Sequence, residues 1–332
     1  MADRSVEDSG LPVGGSDWPA EGSGPRVEGS APSPKGSGPE GSGPKGSGSP
    51  RRRPPSGERS RHPARAAAER ARIVLPTPPP LPEHAILELL AGGDLELLGR
   101  LAGSSNNALL GVVRGVDPRP RQAVSGSSDP PGCVEAPVVY KPVAGERPLW
   151  DFPDGTLAHR EVAAFLLSEA TGWRIVPPTV FRDGPFGPGM VQLWVEADPS
   201  VDRVALVVGA DPRLRPIALF DVVANNADRK VGHLLPTRGG AIVGVDHGIC
   251  FHVEPKLRTV LWAWRGQPLT PEEQARLTRL RELLDGGLAR DLGAHLAPAE
   301  VVALRRRVER LLREPCFPEP DPDRPAIPWP PY

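Results

Sequence analysis

The unit Gly-Ser-Gly-Pro recurs at Gly22, Gly36 and Gly41 and, broken, at Gly46, so residues 1 to about 60 have almost nothing with which to build a core. A segment of this kind cannot offset its ordering entropy by burial, and it reads as a flexible tail. Residues 51–72 then carry eight Arg against two Glu. That run suits either an anionic or nucleic-acid surface or, the simpler expectation, a solubilising linker. A Pro-rich spacer, Pro76–Pro82, leads into the part that folds. Folding is therefore confined to about residues 83–315. The order is a disordered tail 1–80, a domain 83–315 and a Pro-rich tail 316–332.

Within that domain, Val/Leu/Ala-rich stretches are long enough to bury a core. No window of about 18 apolar residues lacks charges, which excludes a membrane span. The 37 Gly show no three-residue period, which excludes collagen. A net charge of −1 gives no general pull on nucleic acid, leaving only a weak possibility through 51–72. Three distant cysteines, Cys133, Cys250 and Cys316, form neither a disulfide framework nor a zinc pattern. The acidic, polar N-terminus is not a secretory signal, and a cytoplasmic location is expected.

Periodicity predicts a helix over Glu83–Ala91, a hairpin of Asp94–Arg100 with Ala108–Arg114, and a β-rich run over Glu135–Val143. A helix over Thr156–Thr171 presents Val162, Phe165, Leu166 and Ala170 on one face and stops at Gly172. Strands follow at Pro177–Arg182 and Met190–Glu196, a helix at Arg215–Ala224 and a short buried strand at Ala241–Val245. Amphipathic helices follow at Pro271–Leu284 and Pro298–Leu312. The eight Pro from Pro315 onward exclude a helical end. Strands come first and helices later, which predicts an α+β, two-lobed layout with a cleft between the lobes.

The chain writes Arg 35 times and Lys 5 times, and Asn only four times, so its lysines and asparagines are informative. The asparagines form two pairs, Asn106-Asn107 and Asn225-Asn226, both in expected loops. Gly103, Ser104, Ser105 and Asn106 suit an ordinary hairpin loop, and equally a loop whose N–H groups and hydroxyls approach a phosphate. Lys141 ends a half-buried strand, where an ammonium needs an anion. Either a phosphate or a carboxylate such as Glu161 on the following helix meets that need, unless Lys141 simply lies at an exposed edge. Asp246 follows a buried strand and precedes His247-Gly248, a good position for a metal ligand. Three of the seven histidines, His233, His247 and His252, fall in this region, so a zinc site competes, as does a plain polar loop. Trp262 and Trp264 read as packing residues, and Arg305-Arg306-Arg307 as a solvated helix face.

The order Gly-Ser loop, strand Lys, helix Glu, Asp-Arg-Lys loop and Asp-His-Gly turn resembles the phosphatidylinositol 3-/4-kinase-like branch of the protein-kinase-like superfamily, distantly related to HipA-type kinases. Segments 139–142, 145–155, 160–164, 172–178, 225–233 and 246–251 are most similar to an uncharacterised bacterial family of that branch. The resemblance covers about residues 85–315. It implies a protein-kinase-like fold: an N-terminal antiparallel β lobe with one helix, about 83–196, and a mainly helical C-terminal lobe, about 197–315.

The same resemblance implies roles. Gly103–Asn107 would cover the phosphates of ATP. Lys141 would neutralise the α/β-phosphates, held in place by Glu161. Gln192, Leu193, Trp194 and Val195 would form the hinge against adenine. Asp228 would orient or deprotonate the acceptor hydroxyl, and Asp246 would bind Mg²⁺. The lipid-kinase pattern Asp-Arg-His-x-x-Asn has an Asn metal ligand where this chain has His233. Imidazole suits Mn²⁺ better than Mg²⁺. Either His233 binds the metal weakly, or Asn225 or Asn226 substitutes, or nucleotide binds without efficient turnover. The expected activity is ATP-dependent phosphoryl transfer to a protein or small-molecule hydroxyl. The alternatives are a nucleotide-binding pseudokinase and an AMP transferase on the same fold.

Overall fold

The computed structural model describes residues 75–76, 81–101, 107–117 and 132–332. The expected tail, the basic run 51–72 and Gly103–Asn106 of the Gly-Ser loop fall outside them.

Five strands form one antiparallel sheet in the order β1-β2-β3-β5-β4. They are β1 (Asp94–Arg100), β2 (Leu109–Val116), β3 (Cys133–Pro142), β4 (Thr179–Gly184) and β5 (Gly187–Leu193). Side chains alternate across a strand, and β3 shows what that does here. Val138 and Tyr140 pack beneath α1 (Glu83–Gly92) with Leu89, Leu90 and Val191. Val139 and Lys141 face the other way, towards α2 (Leu157–Ala170). The sheet therefore carries a helix on each face, and α2 is the one inserted between β3 and β4.

α2 is buried almost all round because it serves two cores. Ala158 and Val162 meet Met190 of β5. Ala163, Ala164 and Leu167 join the larger core of the C-terminal half. Its successive residues Arg160 and Glu161 are consequently both 1% exposed, and each is paired.

The C-terminal half contains α3 (Arg203–Val208), α4 (Arg215–Ala224), α5 (Pro271–Leu284), α6 (Gly287–Gly293) and α7 (Pro298–Arg313). A small hairpin of β6 (Leu234–Pro236) and β7 (Ile242–Gly244) lies between α4 and α5. α5 starts with a capping box, in which Thr270 Oγ1 accepts from Glu273 N and Glu273 accepts from Thr270 N. α7 buries Leu304, Val308 and Leu311, the i, i+4, i+7 stripe of an amphipathic helix. The chain is thus an α+β protein with a β-rich first lobe and a helical second lobe. The sequence did not announce α3 and α6, which are only six and seven residues long.

The Pro-rich end is not helical, and it lies against the second lobe. Ala326 O accepts from Thr259 N at 3.0 Å and from Trp262 Nε1 at 2.9 Å, and Pro331 O accepts from Val231 N at 2.9 Å. Trp264 is buried, in keeping with a packing role for the Trp262–Trp264 turn. No helix among the described residues is long and apolar enough to cross a membrane.

Candidate active site

Lys141 brings the two lobes together. Its Nζ lies 2.5 Å from Glu161 Oε1 on α2 and 2.8 Å from Asp246 Oδ1 just beyond β7. Burial works against the ammonium, but the two carboxylates outweigh it and hold its pKa above the ordinary lysine range. Burial likewise pushes the Asp246 carboxyl up, and the Lys141 charge overrides this and holds it well below the usual range. Glu161 is shifted upward by burial, opposed by Lys141 and reinforced by Asp246. Its second oxygen accepts from His247 N at 2.8 Å, so Glu161 ties the strand lysine to the turn after β7.

The β6–β7 hairpin explains why His233 sits beside Asp246. Leu234 pairs with Gly244, and the ladder continues one step outward with Val245 N donating to His233 O at 3.0 Å. The next residue, Asp246, turns into the left-handed region at φ 62°. That conformation, uncommon outside glycine, aims its carboxylate into the cleft. Asp246 Oδ2 lies 3.4 Å from His233 Nε2. Burial, together with the nearby cations Arg229, Lys230 and Lys141, pushes His233 down to about 4, against the pull of Asp246. The imidazole is neutral at neutral pH, the state in which a nitrogen can ligate a metal.

Asp228 lines the same small cavity as Lys141, Glu161 and Asp246. Its carboxyl is raised by burial and by Asp246, with Lys230 opposing. Lys230 Nζ is 3.3 Å from Asp228 Oδ2. The loop bearing these groups is built on a buried ion pair. Arg229, fully buried, donates to both oxygens of Asp221 on α4 at 2.9–3.1 Å. Asn226 Nδ2 donates to Asp221 Oδ1, and Asn226 Oδ1 accepts from Asp228 N at 2.9 Å. Asn225 ends α4 in the left-handed conformation, φ 54°, and binds the backbone of His252, Glu254 and Lys256.

Both asparagine amide oxygens are therefore engaged by backbone N–H groups. Each asparagine thus has a scaffolding contact, and neither lines the cavity at Lys141. His252 is likewise apart from the site, edge-on to Phe152 with ring centroids 5.2 Å apart. His247 is buried against Arg229. Among the described residues no group of three or more His, Cys, Asp or Glu side chains is gathered to hold a metal unaided.

Of the residues expected at the hinge, Gln192 faces the α2 side of the sheet opposite Val139, but its amide donates to Thr179 Oγ1 at 2.9 Å. Trp194 and Val195 follow β5 half-buried, and Trp194 N donates to Pro137 O at 2.9 Å. Gly103, Ser104, Ser105 and Asn106 are outside the described residues. Asn107, the loop's last member, lines the cavity beside Lys141, and its N–H donates to Gly145 O at 3.1 Å. A Cβ on Gly145 would stand 2.5 Å from the Asn107 Cβ, so this approach needs glycine.

The cavity at Lys141 measures only about 20 Å³, enough for a water. In this state the ammonium fills the gap between the lobes. Lys230 is the residue sequence reasoning left without a role, although its rarity in an Arg-rich chain was the available signal.

No family model matches the chain. Protein Rv2133c of Mycobacterium tuberculosis (strain ATCC 25618 / H37Rv) is 42% identical over 285 residues, covering 75% of this chain and 95% of that protein. The chain belongs to the Rv2133c family. Phosphatidylinositol 4-kinase gamma 4 of Oryza sativa subsp. japonica is 28% identical over 173 residues, 46% of this chain. The matched region spans 31% of that kinase's length. Among solved structures, hydra Fam20 with sugar superposes at a TM-score of 0.41 with 14% identity, covering 70% of this chain and 88% of that one. The Helicobacter pylori proinflammatory kinase CtkA superposes at 0.35 with 10% identity, covering 68% and 94%.

Proposed function

We propose that the chain is an ATP-dependent phosphotransferase of the protein-kinase-like superfamily, on its phosphatidylinositol 3-/4-kinase-like branch. The observation that carries this reading is the placement of Lys141 Nζ between Glu161 and Asp246, with Asp228 lining the same cavity. Four charged groups from distant stretches meet at one point between two lobes. Phosphoryl transfer asks little covalent chemistry of a protein and mostly needs positioning and charge neutralisation.

In this reading Lys141 turns from Asp246 to the α/β-phosphates while Glu161 keeps it aligned. Lys230 supplies a second positive charge near the transferred group. Asp228 accepts the proton of the acceptor hydroxyl as its oxygen bonds to the γ-phosphorus and the bond to ADP breaks. The raised Asp228 carboxyl is a better base than an ordinary aspartate. Asp246, through its carboxylate, and His233, through a neutral nitrogen, would hold a divalent cation. Mg²⁺, or Mn²⁺ given the imidazole, would neutralise charge on the phosphates. The adenine side would be Gln192, Trp194 and Val195, with Gly103–Asn106 over the phosphates.

The test is transfer of label from γ-labelled ATP under Mg²⁺ and under Mn²⁺, with product mass distinguishing a phosphoryl from an adenylyl adduct. Nucleotide binding without transfer under either metal selects the pseudokinase reading, which His233 in the usual Asn slot favours. Absence of nucleotide binding overturns both.

A further inference from the structure

A much larger cavity, about 1140 Å³, opens on the far side of the Asp228 loop. Its walls come from α7, the segment after Phe251 and the Pro-rich end, and Ile249 borders both it and the small cavity at Lys141. The volume is that of a small-molecule site.

The charge on these walls is uneven in a specific way. Every acidic residue lining the cavity already has a cation. Asp151 pairs with Lys256 at 2.7 Å, Glu254 and Asp321 with Arg324 at 3.7 and 3.8 Å, Glu309 with Arg305 at 3.0 Å, and Glu319 with Arg265 at 3.8 Å. Five lining arginines, Arg258, Arg306, Arg307, Arg310 and Arg313, have no carboxylate partner among the described residues. Arg306, Arg310 and Arg313 stand at i, i+4 and i+7 on α7 and so share one helix face.

Arg307 is the decisive member. The triplet Arg305–Arg307 reads in sequence as a solvated face, and Arg305 and Arg306 are exposed. Arg307 instead turns inward beside Leu304, Val308 and Leu311. Its Nε donates to Val223 O at 2.9 Å and its Nη1 to His252 O at 3.2 Å. Its Nη2 is buried and has no partner, while the residue as a whole borders the cavity. Burial lowers the guanidinium to about 10, an unusual state for arginine. A buried cationic donor left unmatched is costly, and such groups are kept where something pairs with them. Planar guanidinium forks bordering one hollow match the oxygens of a phosphate group.

We propose that this cavity is a second ligand site, distinct from the nucleotide cleft, that binds a phosphate-bearing molecule through Arg307 and the α7 arginines. The site stands whether or not the chain transfers phosphate. Because Arg307 holds the end of α4 and the backbone of His252, a ligand there braces the loop that carries Asp228.

The experiment is a titration of the nucleotide-free, full-length protein with inorganic phosphate and with glycerol phosphate, followed by calorimetry. A parallel arm measures binding to phosphatidylcholine vesicles with and without phosphatidic acid. Saturable one-site binding is expected, about tenfold weaker in Arg306→Glu/Arg310→Glu, whose side chains are exposed and leave the fold intact. Arg307→Lys should weaken it as well, with circular dichroism checking its fold. Binding confined to the soluble probes makes the natural ligand a free phosphate ester, and binding confined to the acidic vesicles makes it a lipid headgroup. Either supports the site if the α7 variants lose it. No saturable binding in any arm, or binding unchanged by Arg306→Glu/Arg310→Glu, overturns it. Loss on Lys141→Met instead would put the anion in the nucleotide cleft and overturn it too.

Discussion

Arg229 Nη2 donates to His247 Nε2 at 2.7 Å, deep in the second lobe. A guanidinium has only donors, so Nε2 must be the acceptor and the imidazole proton must reside on Nδ1. Nδ1 has no hydrogen-bond partner, and the nearest acidic oxygen is Glu161 Oε2 at 4.0 Å. Burial, and next the Arg229 charge, hold His247 well below its ordinary pKa, so it stays neutral. A single tautomer thus ties His247 to the loop of Asp228, while its backbone N–H holds the helix of Glu161.

Nitrogen NMR of His247 should show protonation at Nδ1 alone, unchanged from neutral pH to mild acid. His247→Phe keeps the edge-on packing against Phe220, whose centroid is 5.5 Å away, but strands the Arg229 donor. A stability loss of about 1–3 kcal/mol is expected from urea denaturation. His247→Gln, which can restore an acceptor, should recover part of it. Equal losses in the two variants would refute the role of the hydrogen bond.

Asp221 and Arg229 have fully buried side chains. Arg229→Met leaves the Asp221 carboxylate with only Asn226 and Thr259 as donors. Breaking such a pair from one side costs about 3–5 kcal/mol. The chemical denaturation midpoint should fall accordingly, and a change below about 1 kcal/mol would show that the pair is not what builds the loop.

Asp246→Asn should lower metal-dependent ATP turnover at least about a hundredfold while the protein stays folded. The carboxylate lies on the cleft, with its side chain 42% exposed, so its loss opens no core cavity. Turnover within a few-fold of the parent in a phosphate-release assay would remove Asp246 from the site.

His159 and His295 approach with their Nδ1 atoms 3.1 Å apart, on Phe181. Only one of the two nitrogens can be the donor, so the pair resists full protonation. Both are shifted down from 6.5 chiefly by burial, and His295 also by His159. A histidine depressed in the folded state binds fewer protons there than when unfolded. Its stabilisation is present above the unfolded value of 6.5 and is lost as pH falls from there towards the folded value. Urea midpoints should therefore drop between about pH 7.5 and 5.5, and less steeply in His295→Gln. A parallel drop in that variant would assign the pH dependence elsewhere.

Much of this was legible in the sequence for a chemical reason. A chain that writes Arg by default kept Lys141 and Lys230 at the cleft and Lys256 on the wall of the larger cavity. Burial of Glu161 followed from its place one turn before Phe165. The asparagine pairs were visible as exceptions, but type alone could not tell a ligand from a scaffold. Only the structure shows the Asn225 and Asn226 oxygens accepting from the backbone N–H groups of Lys256 and Asp228. Arg307 was hidden within an arginine triplet, because a residue at the margin of an apolar stripe goes either inward or outward. The short α6 begins at Gly287, and glycine carries a poor helix propensity.

The contact between Lys141 and Asp246 makes polyphosphate entry an exchange of counterions. An arriving anion must displace a carboxylate that the opposite half of the molecule already offers. Added electrolyte weakens the incumbent together with the newcomer, so affinity should decline with ionic strength more gently than a tally of phosphate charges suggests.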